Sequence, residues 1–113
     1  MIRSNDSIRT MENVRGGEGV LEFHDWLADD EKCANLRLLA TIHIPVGGSL
    51  GNHVHTGEAE IYRVVQGTGE YNDNGTIVTI KSGDTVVCYD GEEHGVKNIG
   101  DDEFVFIAVI VLS

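Results

Sequence analysis

The sequence predicts an all-β domain, a sandwich or a barrel, and three observations carry that expectation. Apolar and β-branched runs are short, with turn residues between them about every eight to twelve positions. Glycine is frequent, at 14 of 113 residues, against a single proline, Pro45, and glycine suits the tight reversals between strands. No stretch carries the apolar repeat of a long amphipathic helix.

Taken in order, residues 1–18 are polar and close on Gly16, Gly17 and Gly19. They read as an N-terminal arm to a domain over 19–113. Val20 to His24 suits a short strand. Asp25 to Lys32 mixes Trp26, Leu27 and Ala28 with acids and suits a single helical turn or a loop. Leu36 to Ile44 is apolar and β-branched, and Pro45-Val46-Gly47-Gly48 ends it. Glu60 to Gln66 is a strand stopped by Gly67-Thr68-Gly69. Asp73-Asn74-Gly75 marks a hairpin between Glu70–Asn72 and Thr76–Ile80, because Asn-Gly tolerates the positive φ of a primed turn. Ser82-Gly83-Asp84 turns the chain into Thr85 to Cys88. His94 to Asn98 and Glu103 to Val111 are expected to pair as a second hairpin across Gly100-Asp101. Phe104 to Leu112 is apolar on both alternating faces and is expected to be covered on both.

Composition bounds the function. The 8 basic and 19 acidic residues give a net charge of −11. Phosphates repel such a surface, so neither nucleic acid nor an anionic membrane is the expected partner. Cys33 and Cys88 form no metal-knuckle spacing and are too few for a disulfide framework. Met1 to Thr10 lacks the apolar core of a leader, and with two reduced thiols this points to a cytoplasmic protein. No nucleophile elbow, phosphate-binding loop or dinucleotide fingerprint is present.

The chemistry concentrates in three of the five histidines. His53 and His55 are two apart, so on an extended chain both rings project to one side. Glu60 begins the next strand and His94 opens a later one. Three imidazole nitrogens and a carboxylate oxygen converging in a barrel would hold a divalent metal. Each histidine alone is ordinarily a core or rim residue; the spacing of the set makes the case. Glu60, Tyr62 and Val64 share the inward face of their strand, where Tyr62 is a candidate donor to a bound ligand or a packed core tyrosine. Glu58, Glu92 and Glu93 are expected around the mouth, with Glu58 a candidate acid or base. Arg63 faces outward. Either Phe104 and Phe106 or Val105 and Ile107 line the interior. His24 and His43 read as structural, with His43 near enough in sequence to border the pocket.

Gly47 to Gly67 fits G-x5-H-x-H-x4-E-x6-G through Gly47, His53, His55, Glu60 and Gly67. Gly83 to Asn98 fits G-x5-P-x-G-x2-H-x3-N through Gly83, Gly91, His94 and Asn98, with Tyr89 in place of the proline. These stretches resemble the two motifs of the cupin superfamily, matching nine of ten fixed positions, with fifteen residues (68–82) between them. The chain is similar to small single-domain conserved-barrel cupins of the oxalate-decarboxylase-like group. The resemblance implies a double-stranded β-helix, a jelly-roll barrel, with His53, His55, Glu60 and His94 as metal ligands. The motif glycines sit at chain reversals, and Asn98 is expected to fix a loop through its side chain.

Nitrogen and oxygen ligands with open positions suit manganese or iron, with nickel, cobalt and zinc also compatible. The function expected is that of a metal-dependent enzyme, of decarboxylase, dioxygenase or isomerase type, acting on a small carboxylate, dicarbonyl or sugar-like molecule. The alternative is a non-catalytic ligand-binding or sensor module. Established oxalate decarboxylases have two barrels, and this chain has room for one. The resemblance also points to a homodimer, with the N-terminal segment adding a strand to the partner's sheet and covering an edge.

Overall fold

Alternation along the strands decides which face turns inward. Over Glu58–Gln66, Glu58, Glu60, Tyr62 and Val64 are buried while Arg63 and Val65 are exposed. The computed structural model, which describes residues 1–113, resolves this patterning into ten strands. They are β1 (Ser7–Glu12), β2 (Val20–Asp25), β3 (Leu36–Ile44), β4 (Ser49–Val54), β5 (Glu58–Gln66), β6 (Thr68–Asp73), β7 (Thr76–Lys81), β8 (Thr85–Cys88), β9 (Glu93–Asn98) and β10 (Phe104–Leu112). Short 3-10 turns occupy Val14–Gly16 and Asp29–Glu31.

Two antiparallel sheets result. One has six strands in the order β1-β2-β3-β10-β5-β8, and the other four in the order β4-β9-β6-β7. Consecutive strands cross repeatedly from one sheet to the other, which is the jelly-roll way of enclosing a core. The core fills the space between the sheets with Leu21, Ile42, Tyr62, Tyr71, Val96 and Phe106 among its members. One aromatic ladder runs through it: His94 stacks on Tyr62 with ring centroids 4.9 Å apart, Tyr62 meets Phe106 at 4.3 Å, and Phe106 meets Phe104 at 5.5 Å. On β10, therefore, Phe104 and Phe106 face inward.

The Asn-Gly hairpin forms as expected. Asp73 pairs with Thr76, and Asn74 and Gly75 take φ of 49° and 99°, the signs a primed two-residue turn requires. Gly67 shows a second demand on backbone: at φ 91°, a methyl there would also sit 2.8 Å from the Glu103 carbonyl oxygen.

Two expectations change. β9 and β10 do not form a hairpin. β9 pairs with β4 and β6, whereas β10 pairs with β3 and β5. The chain between them crosses from one sheet to the other, and Asn98 holds the crossing. Its buried amide donates to the Ile44 carbonyl (3.0 Å) and the Asp102 carbonyl (2.9 Å), and its oxygen accepts from Gly100 N–H (2.9 Å). A two-residue turn signal cannot distinguish a reversal within one sheet from a corner between two.

β10 is also covered on one face only. Its inner side is buried as far as Ile110, but on the outer side only Val105 is buried, Ile107 and Val109 are half-buried and Val111 is exposed. The N-terminal segment forms the edge strand of the six-stranded sheet. Its residues Ser7–Glu12 pair with β2 in register, Ser7 opposite Asp25 and Glu12 opposite Val20. The hairpin loop 13–19 then docks on β4, where Ser49 N–H donates to the Glu18 carbonyl (2.9 Å) and Glu18 N–H donates to Ser49 Oγ (2.9 Å).

Removing the Asn98 amide leaves a buried carbonyl and an N–H without partners. Asn98→Ala is expected to lower stability by about 2–3 kcal/mol, on the order of 10 °C in melting temperature for a domain of this size. A drop below about 2 °C in a thermal melt would show that the crossing holds without it.

Candidate metal centre

The two sheets meet chemically at four side chains. His53 on β4 and His94 on β9 are direct cross-strand partners in the four-stranded sheet. Glu60 reaches across from β5 in the six-stranded sheet, where it lies opposite Cys88 and Ile110. His55 follows β4 by one residue, and its backbone is pinned to the turn before β9: His55 N–H donates to the Glu92 carbonyl (3.1 Å) and Gly91 N–H donates to the His55 carbonyl (2.7 Å).

A bulge aims the first histidine. Leu50 pairs with Val96 but His53 pairs with His94, so β4 carries an extra residue against β9, and such bulges re-aim side chains beside functional sites. Gly51 and Asn52 form it. Gly95 must lack a side chain, because a Cβ there would overlap the Asn52 side-chain oxygen.

One donor atom from each residue lies within 4.8 Å of the others. His55 Nε2 is 2.9 Å from Glu60 Oε1, His94 Nε2 is 3.0 Å from the same oxygen, and the two Nε2 atoms are 3.0 Å apart. His53 Nε2 stands 3.9 Å from Glu60 Oε1. The opposite ring nitrogens are all engaged elsewhere. His53 Nδ1–H donates to the Gly51 carbonyl (2.7 Å), His55 Nδ1–H to the Glu58 carboxylate, and His94 Nδ1 bonds the Tyr71 hydroxyl at 2.8 Å. A carbonyl or a carboxylate can only accept, so the bonds of His53 and His55 place a proton on Nδ1, and in the neutral rings the Nε2 lone pair faces inward, the arrangement that metal-binding histidines use.

The electrostatics agree. Burial opposes ionisation of Glu60, but the three imidazoles beside it outweigh burial and hold its carboxyl well below the usual carboxylate range. Burial depresses the His94 imidazole against the pull of Glu60, with His53 and His55 adding repulsion. The hydrogen bond to Glu60 raises His55, against burial and with help from Glu58. Convergent lone pairs and a carboxylate, all buried, form a donor set that a divalent cation satisfies.

A cavity of about 240 Å³ opens above the cluster, with His53, His55 and Glu60 in its wall. Apolar side chains from both sheets, including Phe23, Ile42, Leu50 and Ile110, make its sides. Its remaining lining is basic: Arg9, Arg15, Lys32 and Arg37. Half of the chain's 8 basic residues therefore surround it, and Glu60 is the one carboxylate in its lining.

This corrects the expectation of an acidic mouth. Glu58 is buried behind the site, where Arg37 grips its carboxylate with two bonds of 2.8 and 2.9 Å and His55 donates to it. The Arg37 guanidinium holds the Glu58 carboxyl below its ordinary range against burial, with His55 assisting. Glu92 accepts from Tyr89 N–H (2.9 Å) and Glu93 from the Asn72 amide (3.1 Å), both away from the cavity lining. Tyr62 lies beside the cluster, its hydroxyl 3.5 Å from His94 Nε2, and burial first, with Glu60 adding, pushes its hydroxyl well above the ordinary value. His43 is on the outer face, stacked on His24 with centroids 4.3 Å apart.

Tyr71, the Gly51 carbonyl and the basic mouth escape sequence reasoning. The mouth did leave a signal: Arg3, Arg9, Arg15, Lys32 and Arg37, five of the eight basic residues, precede the first histidine motif. Tyr71 left none, because its role depends on a cross-strand register.

Comparison with known proteins agrees with this geometry. Residues 40–110 match the cupin domain family. A protein of Thermotoga maritima named an oxalate-binding protein is 38% identical over 113 residues, covering 99% of this chain and 93% of its own. The crystal structure of a "predicted oxalate decarboxylase" from Thermotoga maritima superposes with a TM-score of 0.93 at 36% identity, covering 100% of both chains. The cupin domain of Schizosaccharomyces pombe Cnp3 shares the fold at a TM-score of 0.76 and 15% identity, covering 95% of this chain and 70% of that one. The jelly roll, the two histidine motifs and these likenesses place the chain in the cupin family.

Proposed function

We propose that the protein binds a divalent metal ion through His53, His55, Glu60 and His94, and with it holds a small dicarboxylate of the oxalate type in the cavity above. The observation that carries this reading is the cavity wall: histidines and one glutamate at one end, four basic side chains around the rest, in a chain of net charge −11. Against that background the basic wall supplies a local field for a small anion. The relative named for oxalate binding, similar over nearly the whole length of both chains, supports the choice of ligand. The nitrogen and oxygen donors favour manganese or iron.

When bound, such an ion would supply a Lewis-acidic centre for carboxylate oxygens. The chain's own residues do the rest. Arg37 fixes Glu58, Glu58 fixes the tautomer of His55, and Tyr71 orients His94. Phe23, Ile42, Leu50 and Ile110 exclude water from the walls, which strengthens each charge interaction inside.

A second reading, a metal-dependent enzyme, is favoured by Tyr62. Its hydroxyl is held protonated within reach of His94, so it can donate a hydrogen bond toward a molecule at the cluster. Glu58, bound on both sides, is a positioning group in either reading.

A second copy of the chain is the proposed partner for the outer face of the six-stranded sheet. There Ile107 and Val109 of β10 are half-buried and Val111 is exposed, on the same sheet as Val65 of β5, which is 50% exposed. An apolar sheet face of this kind marks an interaction surface.

Three outcomes are expected. Elemental analysis of loaded protein should find about one ion per chain in the wild type, with loss in His53→Ala and His94→Ala, and Glu58→Gln should weaken binding by about 10–100-fold; a wild type that takes up no manganese, iron or zinc refutes the site. Calorimetry should show oxalate binding to metal-loaded protein and none after chelation. Release of CO₂ from oxalate would favour the enzyme reading, and binding without turnover the binding module. Light scattering should give twice the 12.3 kDa chain mass for the wild type and the single mass for Ile107→Glu; a monomeric wild type removes the proposed interface.

A further inference from the structure

Of the four basic residues lining the cavity, three are already engaged. Arg9 bonds Asp25 through two nitrogens and lies over the Phe23 ring at 4.5 Å. Lys32 is held by Asp29 and the Arg37 carbonyl. Arg37 is committed to Glu58. Arg15 is different. No carboxylate lies within ion-pair reach of it, and it is exposed to solvent at the cavity.

Its backbone is unusual as well. Arg15 has φ 55° and ψ 31°, the left-handed conformation that a long side chain rarely adopts because its Cβ crowds the following carbonyl. Glycine, present at both following positions, would occupy it without strain. The surroundings enforce this conformation. Gly16 N–H donates to the Asn13 carbonyl (3.0 Å) and Gly17 N–H to the Val14 carbonyl (2.9 Å). A methyl on Gly51 would overlap the Arg15 carbonyl, and one on Gly17 the Ser49 carbonyl. The loop is thus seated on the β4 bulge whose Gly51 carbonyl orients His53. A strained residue held beside a site is an indication of function, and here the strained residue carries the one unpaired guanidinium of the cavity.

We propose that Arg15 is the specificity-determining residue of this site, pairing with the second carboxylate of a small dianion and so selecting dianions over monoanions. The inference rests on the dicarboxylate reading above. A dianion held at the histidine end keeps a further negative charge in a cavity with apolar walls, and a free guanidinium can meet it with paired N–H donors. The other three cations each already have a carboxylate partner within the protein, Asp25, Asp29 or Glu58.

The test compares wild type, Arg15→Gly, Arg15→Ala and Arg15→Lys, each loaded with manganese, by calorimetry with oxalate and with acetate. Arg15→Gly and Arg15→Ala should bind oxalate about 10–100-fold more weakly, change acetate affinity less than about threefold, and keep full metal content. Arg15→Lys, which retains the charge without the fork, should fall between them and the wild type. In the absence of metal, Arg15→Gly should melt at the wild-type temperature or up to about 5 °C higher, since it relieves the left-handed strain. Oxalate affinity within about twofold of wild type in both Arg15→Gly and Arg15→Ala overturns the proposal, as does loss of metal along with oxalate. Failure of the loaded wild type to bind oxalate removes the dicarboxylate reading and this inference together.

Discussion

The convergence of three imidazoles on the Glu60 carboxylate is the constraint on which the rest of the structure depends. It joins the two sheets, since His53 and His94 belong to one and Glu60 to the other. A buried carboxylate among apolar neighbours would carry a heavy desolvation cost; here the imidazoles offset it, and every buried polar side-chain atom has a partner. The bulge at Gly51, the missing side chain at Gly95 and the pinning of His55 to the 89–92 turn all serve to bring these atoms within 4.8 Å.

The partners behind the histidines are a second layer of the same device. Gly51, Glu58 and Tyr71 each take one Nδ1 and come from three different strands, β4, β5 and β6. Arg37 on β3 extends the layer by holding Glu58. In this way the hydrogen-bond pattern of the wall fixes which nitrogen faces the centre, and with it the capacity to hold a cation. The aromatic ladder from His94 through Tyr62 and Phe106 to Phe104 ties that wall to the packed core, so rotation of the His94 ring would disturb close packing.

Charge is segregated within the molecule. A chain of −11 places half of its basic residues around one cavity, and only Glu60 among its acids lines it. The N-terminal hairpin achieves much of this segregation. β1 brings Arg9, the loop brings Arg15, and the loop is locked on β4 by Ser49 and the close approach to Gly51. The segment most weakly tied to the core by burial, with every residue of β1 exposed, thereby shapes the entrance to the site.

The strands over 20–25, 36–44 and from Glu60 onward, the Asn-Gly hairpin, the inward face of β5 and the four clustered residues were legible in the sequence, because each rests on local alternation, turn chemistry or spacing along the chain, whereas β1 lies in a polar segment that read as an arm. The partition of strands between sheets was not. β9 and β10 read as a hairpin, and the turn residues between them serve equally well as the corner that Asn98 braces. The outer face of β10 read as covered because apolar alternation alone does not say what lies against it. The basic mouth was hidden for the same reason: residues 9, 15, 32 and 37 are scattered in sequence and meet only through the β1–β2–β3 pairing. The sequence by itself determined the fold class and the residues that converge on the centre, since these follow from short-range periodicity and motif spacing. Only the tertiary structure decided the sign of charge around the cavity and the side chains behind the histidines, since these depend on contacts between strands far apart along the chain.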